Sequence, residues 1–249
     1  MELFSAEALL LAVSDLGDYD RIVTFLTRQW GKKRGVARGA RRKHSRFGGQ
    51  LQPLAKAKVD WLEKEGRELA RVRSVELERA AGGLQKDLEG LMLTAYLADH
   101  VSEFAQENEP SERLFRLLDT TVEALLAGVD RGLATRYFET WVLRLGGVFP
   151  PPSECPRCGG DLESGAAVAA EADGVICGRC GGPSARQVSA PALDLLRRMG
   201  RENLPTLARR PPQAAAVEEV AEICTRVRRS FLQHELRSYD VIRETLGHV

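Results

Sequence analysis

The hydrophobic pattern of this 249-residue chain changes period once, at Ala80-Ala81-Gly82-Gly83, and that change divides what the two halves can fold into. Before it, Ala55, Ala57, Val59 and Trp61 alternate with Lys56, Lys58 and Asp60. A period of two belongs to a strand with one buried face, here with a basic outer face. A polar turn over residues 63–67 follows. The next strand carries Ala70 and Val72 in one phase and Val75 and Leu77 in the other, so a bulge or bend is expected near Arg73-Ser74. Upstream, residues 7–13, 22–27 and 32–37 read as three further strands, separated by turn residues. Five short strands in about 80 residues fit a small barrel such as the oligonucleotide-binding (OB) fold.

Beyond the glycines the spacing becomes three and four, through Leu84, Leu88, Leu91, Ala95 and Ala98, with Leu93, Leu97, Val101 and Phe104 on the other side. This predicts a helix apolar nearly all round and central in a bundle. Further helices are expected around Leu114–Leu125 and over residues 133–145, 190–199 and beyond Pro211-Pro212. The fold class is therefore α+β: an N-terminal OB-fold β-barrel (1–80), then an all-helical domain (84–148 and 189–249) with a cysteine-bearing insertion (150–188).

That insertion reads Cys155-Pro156-Arg157-Cys158, then 18 residues, then Cys177-Gly178-Arg179-Cys180. The C-x2-C-x18-C-x2-C spacing is a strong zinc signature. Four thiolates around one Zn²⁺ leave no open position, so the expected role is structural. The segment has few large apolar residues and is expected to lack a core of its own, so the metal should supply much of its folding free energy. Redox C-x-x-C pairs open a helix after a strand, and neither pair reads that way. Cys224 falls on the apolar face of the last predicted helix and reads as core.

The net charge of +1 conceals a strong asymmetry. From Arg21 to Val59 there are twelve basic residues and no acid; the rest of the chain carries 24 basic and 35 acidic residues. One sign over such a stretch repels itself, which points to a polyanionic partner, nucleic acid first. Lys32, Lys33, Arg34, Arg38, Arg41, Arg42, Lys43 and Arg46 are the candidate phosphate contacts. Trp30 and Phe47 flank them, either as stacking surfaces for bases or as barrel core.

There is no phosphate loop, no H-E-x-x-H and no dinucleotide fingerprint, and His44, His100, His234 and His248 pair with no nucleophile. Helix carboxylates read as solvated faces. No catalytic residues are assigned and no enzyme is expected. The longest apolar run is the six residues Ala8 to Val13, and no signal peptide is apparent, so the expectation is a cytoplasmic protein without a membrane span.

Three stretches resemble a known family. They are Leu16-Gly17-Asp18-Tyr19-Asp20, the run from Gly35 to Arg42 continuing through Ser45-Arg46-Phe47-Gly48-Gly49 to Leu51-Gln52-Pro53-Leu54, and Tyr137 to Gly147 leading into Cys155-Pro156-Arg157-Cys158-Gly159. Together they resemble RecO, the bacterial recombination mediators, over the whole chain and in order. The resemblance implies binding of single- and double-stranded DNA and annealing of complementary strands. It also implies work with RecR and single-stranded-DNA-binding protein to load RecA in recombinational repair, near the nucleoid and without enzymatic activity. The alternative is an RNA- or ribosome-associated zinc-ribbon protein, which explains the long helical middle less well.

Overall fold

A computed structural model of the chain describes residues 1–169, 174–183 and 185–246; His248 lies outside them. It divides into two compact units, Met1–Leu126 with the segment that begins at Leu236, and Ala127–Glu235.

In the first unit, β1 (Glu2–Leu16), β2 (Asp20–Thr27), β3 (Gly31–Ala37), β4 (Lys56–Glu63) and β5 (Ala70–Arg79) form a closed barrel in the order β1-β2-β3-β5-β4. Closure depends on the length of β1. Its first half pairs with β4, from Glu2 opposite Glu63, and its second half with β2, ending with Leu16 opposite Asp20. The β3–β5 pair is parallel and the others are antiparallel. The period-two pattern translates directly: Ala55, Ala57, Val59 and Trp61 are buried against Leu10, Phe25 and Val72. Trp61 stacks on Phe4, with centroids 5.5 Å apart, and meets Phe25 edge-on at 5.3 Å. Asp60 pairs with Ser74 and Trp61 with Val72, so Arg73 is the extra residue of the expected bulge.

Three helices complete this unit: α1 (Leu88–Phe104), α2 (Glu112–Leu126) and α8 (Arg237–Leu246). Leu84 belongs to a separate 3-10 turn, Gly82–Leu84, and Asp87 caps α1 by accepting the Gly90 N–H at 2.7 Å. The expectation of an all-round apolar, central helix needs correction. Tyr96, Leu97 and Val101 are buried, while Leu88 and Leu91 are more than half exposed. α1 packs on β1, α2 and α8, and Leu88, Glu89, Leu91, Ala95 and Glu103 face water. Charges fasten α2 to the barrel. The buried Asp119 accepts from Lys56 at 3.1 Å and from Arg79 at 2.6 Å, while Arg28 donates to Glu112 at 3.0 Å and lies over the Phe115 ring.

The second unit holds α3 (Arg131–Leu145), α5 (Ala190–Arg201), α6 (Leu204–Arg209) and α7 (Ala214–Leu232). Between α3 and α5 lie β6 (Ala166–Val168), β7 (Val175–Cys177), the one-turn helix α4 (Gly178–Gly181) and β8 (Arg186–Val188), in the sheet order β7-β6-β8. Contrary to the expectation of a segment without its own core, Leu162, Ala167, Val168, Val175 and Ile176 are buried. A few residues spread along a glycine-rich segment build this core, which is why composition hid it. Not every helix carboxylate is solvated either. Glu139 is buried within reach of Arg136 at 3.1 Å and Arg228 at 3.7 Å. Cys224 is core as expected; burial pushes its thiol up to about 12. Among the described residues no helix is long and apolar enough to cross a membrane.

Candidate nucleic-acid interface and metal centre

The basic loop leaves β3 at Ala37 and is built from successive turns. Ala40, Arg42, Ser45 and Gly48 each donate their N–H to the carbonyl three residues earlier, at 3.0–3.3 Å. Gly39, at φ +71°, turns its N–H onto Asp20 Oδ1 at 2.8 Å. The Arg41 N–H bonds the Tyr19 carbonyl at 3.0 Å, and the Arg41 guanidinium donates to the Gly17 carbonyl at 2.9 Å. The loop is thus tied to the β1–β2 turn, and Arg38, Arg41, Arg42, Lys43 and Arg46 are exposed along it. Arg34 is exposed on β3. Asp15 partly offsets Arg41, at 3.5 Å, and Arg21, at 3.3 Å.

Two of the eight candidate contacts are placed differently. Lys33 is only 7% exposed; its Nζ donates to Glu63 Oε1 at 2.6 Å and to Asn108 Oδ1 at 2.8 Å. Lys32 is half-buried and donates to the Ser102 carbonyl at 2.6 Å. Strand alternation accounts for Lys33: on β3 it shares the inward phase with Gly31, Gly35 and Ala37. Burial opposes ionisation of Glu63, but the Lys33 ammonium and the Trp61 indole N–H outweigh it and hold the carboxyl below its usual range. Asp60 is also held low, by the Ser5 and Ser74 hydroxyls.

The flanking aromatics resolve in opposite ways. Phe47 is fully buried in the barrel core, and the Arg46 guanidinium covers its ring at 4.9 Å. Trp30 is 41% exposed and packs edge-on against Phe4, at the far end of β2 from the basic loop.

In the second unit the four thiol sulfurs lie within 4.8 Å of one another, with Cys158 and Cys177 3.7 Å apart. Thiolates about 2.3 Å from a tetrahedral ion stand about 3.8 Å apart, so the cluster could hold a metal ion. Disulfide sulfurs would approach to about 2.05 Å. Each knuckle turns on a glycine with positive φ, Gly159 at +68° and Gly182 at +67°. Burial raises the Cys155 thiol, but amide donors from Cys177, Arg157 and Cys158 overcome this and bring it down to about 6. Cys180 is pushed up to about 12 by hydrogen bonds with Cys158 and Cys177. Four mutually close thiols cannot all lose their protons unless a cation replaces them. Cys177 ends β7 and stands at the N-cap of α4, so the expectation that neither pair opens a helix after a strand is corrected. A helix of four residues is too short for a sequence period to show.

Comparison with known proteins covers both units. Residues 1–81 match the family described as Recombination protein O N terminal, and residues 85–240 match Recombination protein O C terminal. The chain belongs to the RecO family. The two RecO matches meet at the stretch where the hydrophobic period changes. A DNA repair protein RecO of Anaeromyxobacter dehalogenans (strain 2CP-C) is 34% identical over 239 residues, 95% of this chain and 92% of that protein. The DNA repair protein RecO of Geobacter metallireducens is 37% identical over 182 residues, 73% of this chain and 74% of its own length.

Sequence reading of this RecO chain passed over two features. Tyr19 stands against the basic loop, with Arg42 5.2 Å from its ring centroid. Arg157 and Arg179 stand one in each knuckle: Arg157 donates to the Cys180 carbonyl at 3.3 Å, and the nearby sulfurs of Cys158 and Cys177 favour the charged form of Arg179. The matching C-x-R-C strings were the available signal for the arginines. Nothing in the sequence brings residue 19 to residue 42.

Proposed function

We propose that this protein is a DNA-binding recombination mediator that binds single and double strands and anneals complementary ones. With RecR it helps load RecA onto DNA coated with single-stranded-DNA-binding protein. The family match over both units supports this reading, and the observation that carries its chemistry is the exposed, turn-built basic loop on the barrel. Arg34, Arg38, Arg41, Arg42, Lys43 and Arg46 contact phosphates there. No recognition helix accompanies them, so the contacts are blind to sequence. Neutralising phosphates on two strands lowers their mutual repulsion and lets pairing proceed. The role needs no bond-making step and no nucleotide, and the protein is a mediator rather than an enzyme. The four cysteines hold one structural Zn²⁺, for which an all-thiolate tetrahedral donor set is well suited.

The test is annealing of complementary oligonucleotides coated with the cognate single-stranded-DNA-binding protein, without ATP. Annealing faster than the uncatalysed rate is expected. A purified protein that binds such strands yet leaves the rate unchanged, or that anneals only with ATP, overturns the mediator reading. Tighter binding to structured RNA than to single-stranded DNA would favour the zinc-ribbon alternative.

A further inference from the structure

The basic loop carries charge, but charge does not distinguish an unpaired strand from a duplex. An aromatic ring beside it does, because only unpaired bases offer an open π-face. Phe47, the ring nearest in sequence, is fully buried, and Trp30 lies at the other end of β2 against Phe4. Tyr19 is different. It is 57% exposed, on the turn between β1 and β2, and stands outside the barrel core.

Its setting is fixed rather than incidental. Gly17, at φ +59°, makes the turn, and the next strand starts at Asp20. The loop is bonded to this turn at three points: Gly39 N–H to Asp20, Arg41 N–H to the Tyr19 carbonyl, and the Arg41 guanidinium to the Gly17 carbonyl. The Arg42 guanidinium lies 5.2 Å from the ring centroid, which orients the ring and withdraws electron density from it. A phenol ring held within one rigid surface with Arg38, Arg41, Arg42 and Lys43 loses little rotamer freedom on binding.

We infer that Tyr19 is the base-stacking residue of the basic loop, receiving an unpaired base while Arg41, Arg42 and Lys43 hold the phosphates on either side. The inference rests on the DNA-binding reading above. It assigns the two parts of single-strand affinity to different residues, the salt-dependent part to the arginines and lysine and the salt-independent part to one ring.

The experiment compares an oligo-dT strand with an abasic deoxyribose-phosphate strand of equal length, on wild type, Tyr19→Ala and Tyr19→Phe. Wild type should prefer the base-bearing strand. Tyr19→Ala should reduce that preference by about 5- to 150-fold, the range of one lost stacking contact, with the salt slope on dT unchanged. Tyr19→Phe should retain the preference, which separates stacking from any role of the hydroxyl. The same preference in Tyr19→Ala as in wild type overturns the inference while leaving the phosphate contacts standing. Failure of wild type to bind either strand overturns the DNA-binding reading itself.

Discussion

Lys33 shows how a single side chain can carry the right charge and the wrong address. Its ammonium is enclosed by Glu63, Asn108 and the ring of Phe4, 5.8 Å away, so it seals the barrel instead of meeting a phosphate. Glu63 is the more exposed partner and the one that takes up a proton on acidification. Its folded-state pKa lies below the ordinary glutamate value, so the pair stabilises fully above that value and the stabilisation fades as pH falls through the lowered one. At pH 7, Glu63→Gln should cost about 1 kcal/mol, a charged hydrogen bond discounted for partial exposure. The deficit should close as the pH falls through that lowered value, below which wild-type Glu63 is itself neutral. Urea midpoints of both proteins across that range check this; a deficit independent of pH would mean that the carboxylate charge is not what Lys33 needs.

At the scale of the element, the loop of residues 38–46 acts as a unit because its backbone bonds close locally and onto one turn. Replacing Arg41, Arg42 and Lys43 together by Ala should leave the fold intact and weaken binding to every sequence alike. If about five phosphates of a single strand are neutralised, log K falls with log salt at a slope near −3.5; the triple variant should flatten it to about −1.4. Filter binding of oligo-dT over a salt series reads both numbers, and an unchanged slope moves the phosphate contacts off this loop. The loop's composition was legible in the sequence because an acid-free stretch needs no structure to be noticed. The barrel strands were legible because Val59, Trp61 and Val72 keep an alternation that changes phase at the Arg73 bulge. What escaped reading had no period to reveal it. The strands β6 to β8 are three residues each, α6 is six, and the buried residue described within α8 is Ile242, too little to mark a face. Which of two adjacent lysines turns inward on β3 depends on strand register, and the glycine-rich pattern there left the phase undetermined.

For the molecule as a whole, two compact units predict two separable losses. With the proposed Zn²⁺ on the four cysteines, its removal by a chelator, or Cys155→Ser, should loosen β6 to β8, because strands this short do not hold a sheet without a clamp. Hydrogen exchange over residues 153–188 should rise by at least about tenfold while exchange in the barrel and its affinity for oligo-dT stay as they were; equal loss in both units would show that the metal supports more than its own segment. The division has a second consequence, in the order of manufacture. Asp99 of α1 accepts from the Ser238 N–H at 3.2 Å and its hydroxyl at 2.7 Å, across 139 residues of chain. A ribosome releases the whole of Ala127–Glu235 before it releases α8. The domain begun first is therefore finished last, and a nascent chain presents the side of α1 around Tyr96 and Asp99, which Tyr239 and Ser238 meet in the finished protein, to whatever chaperone stands at the exit.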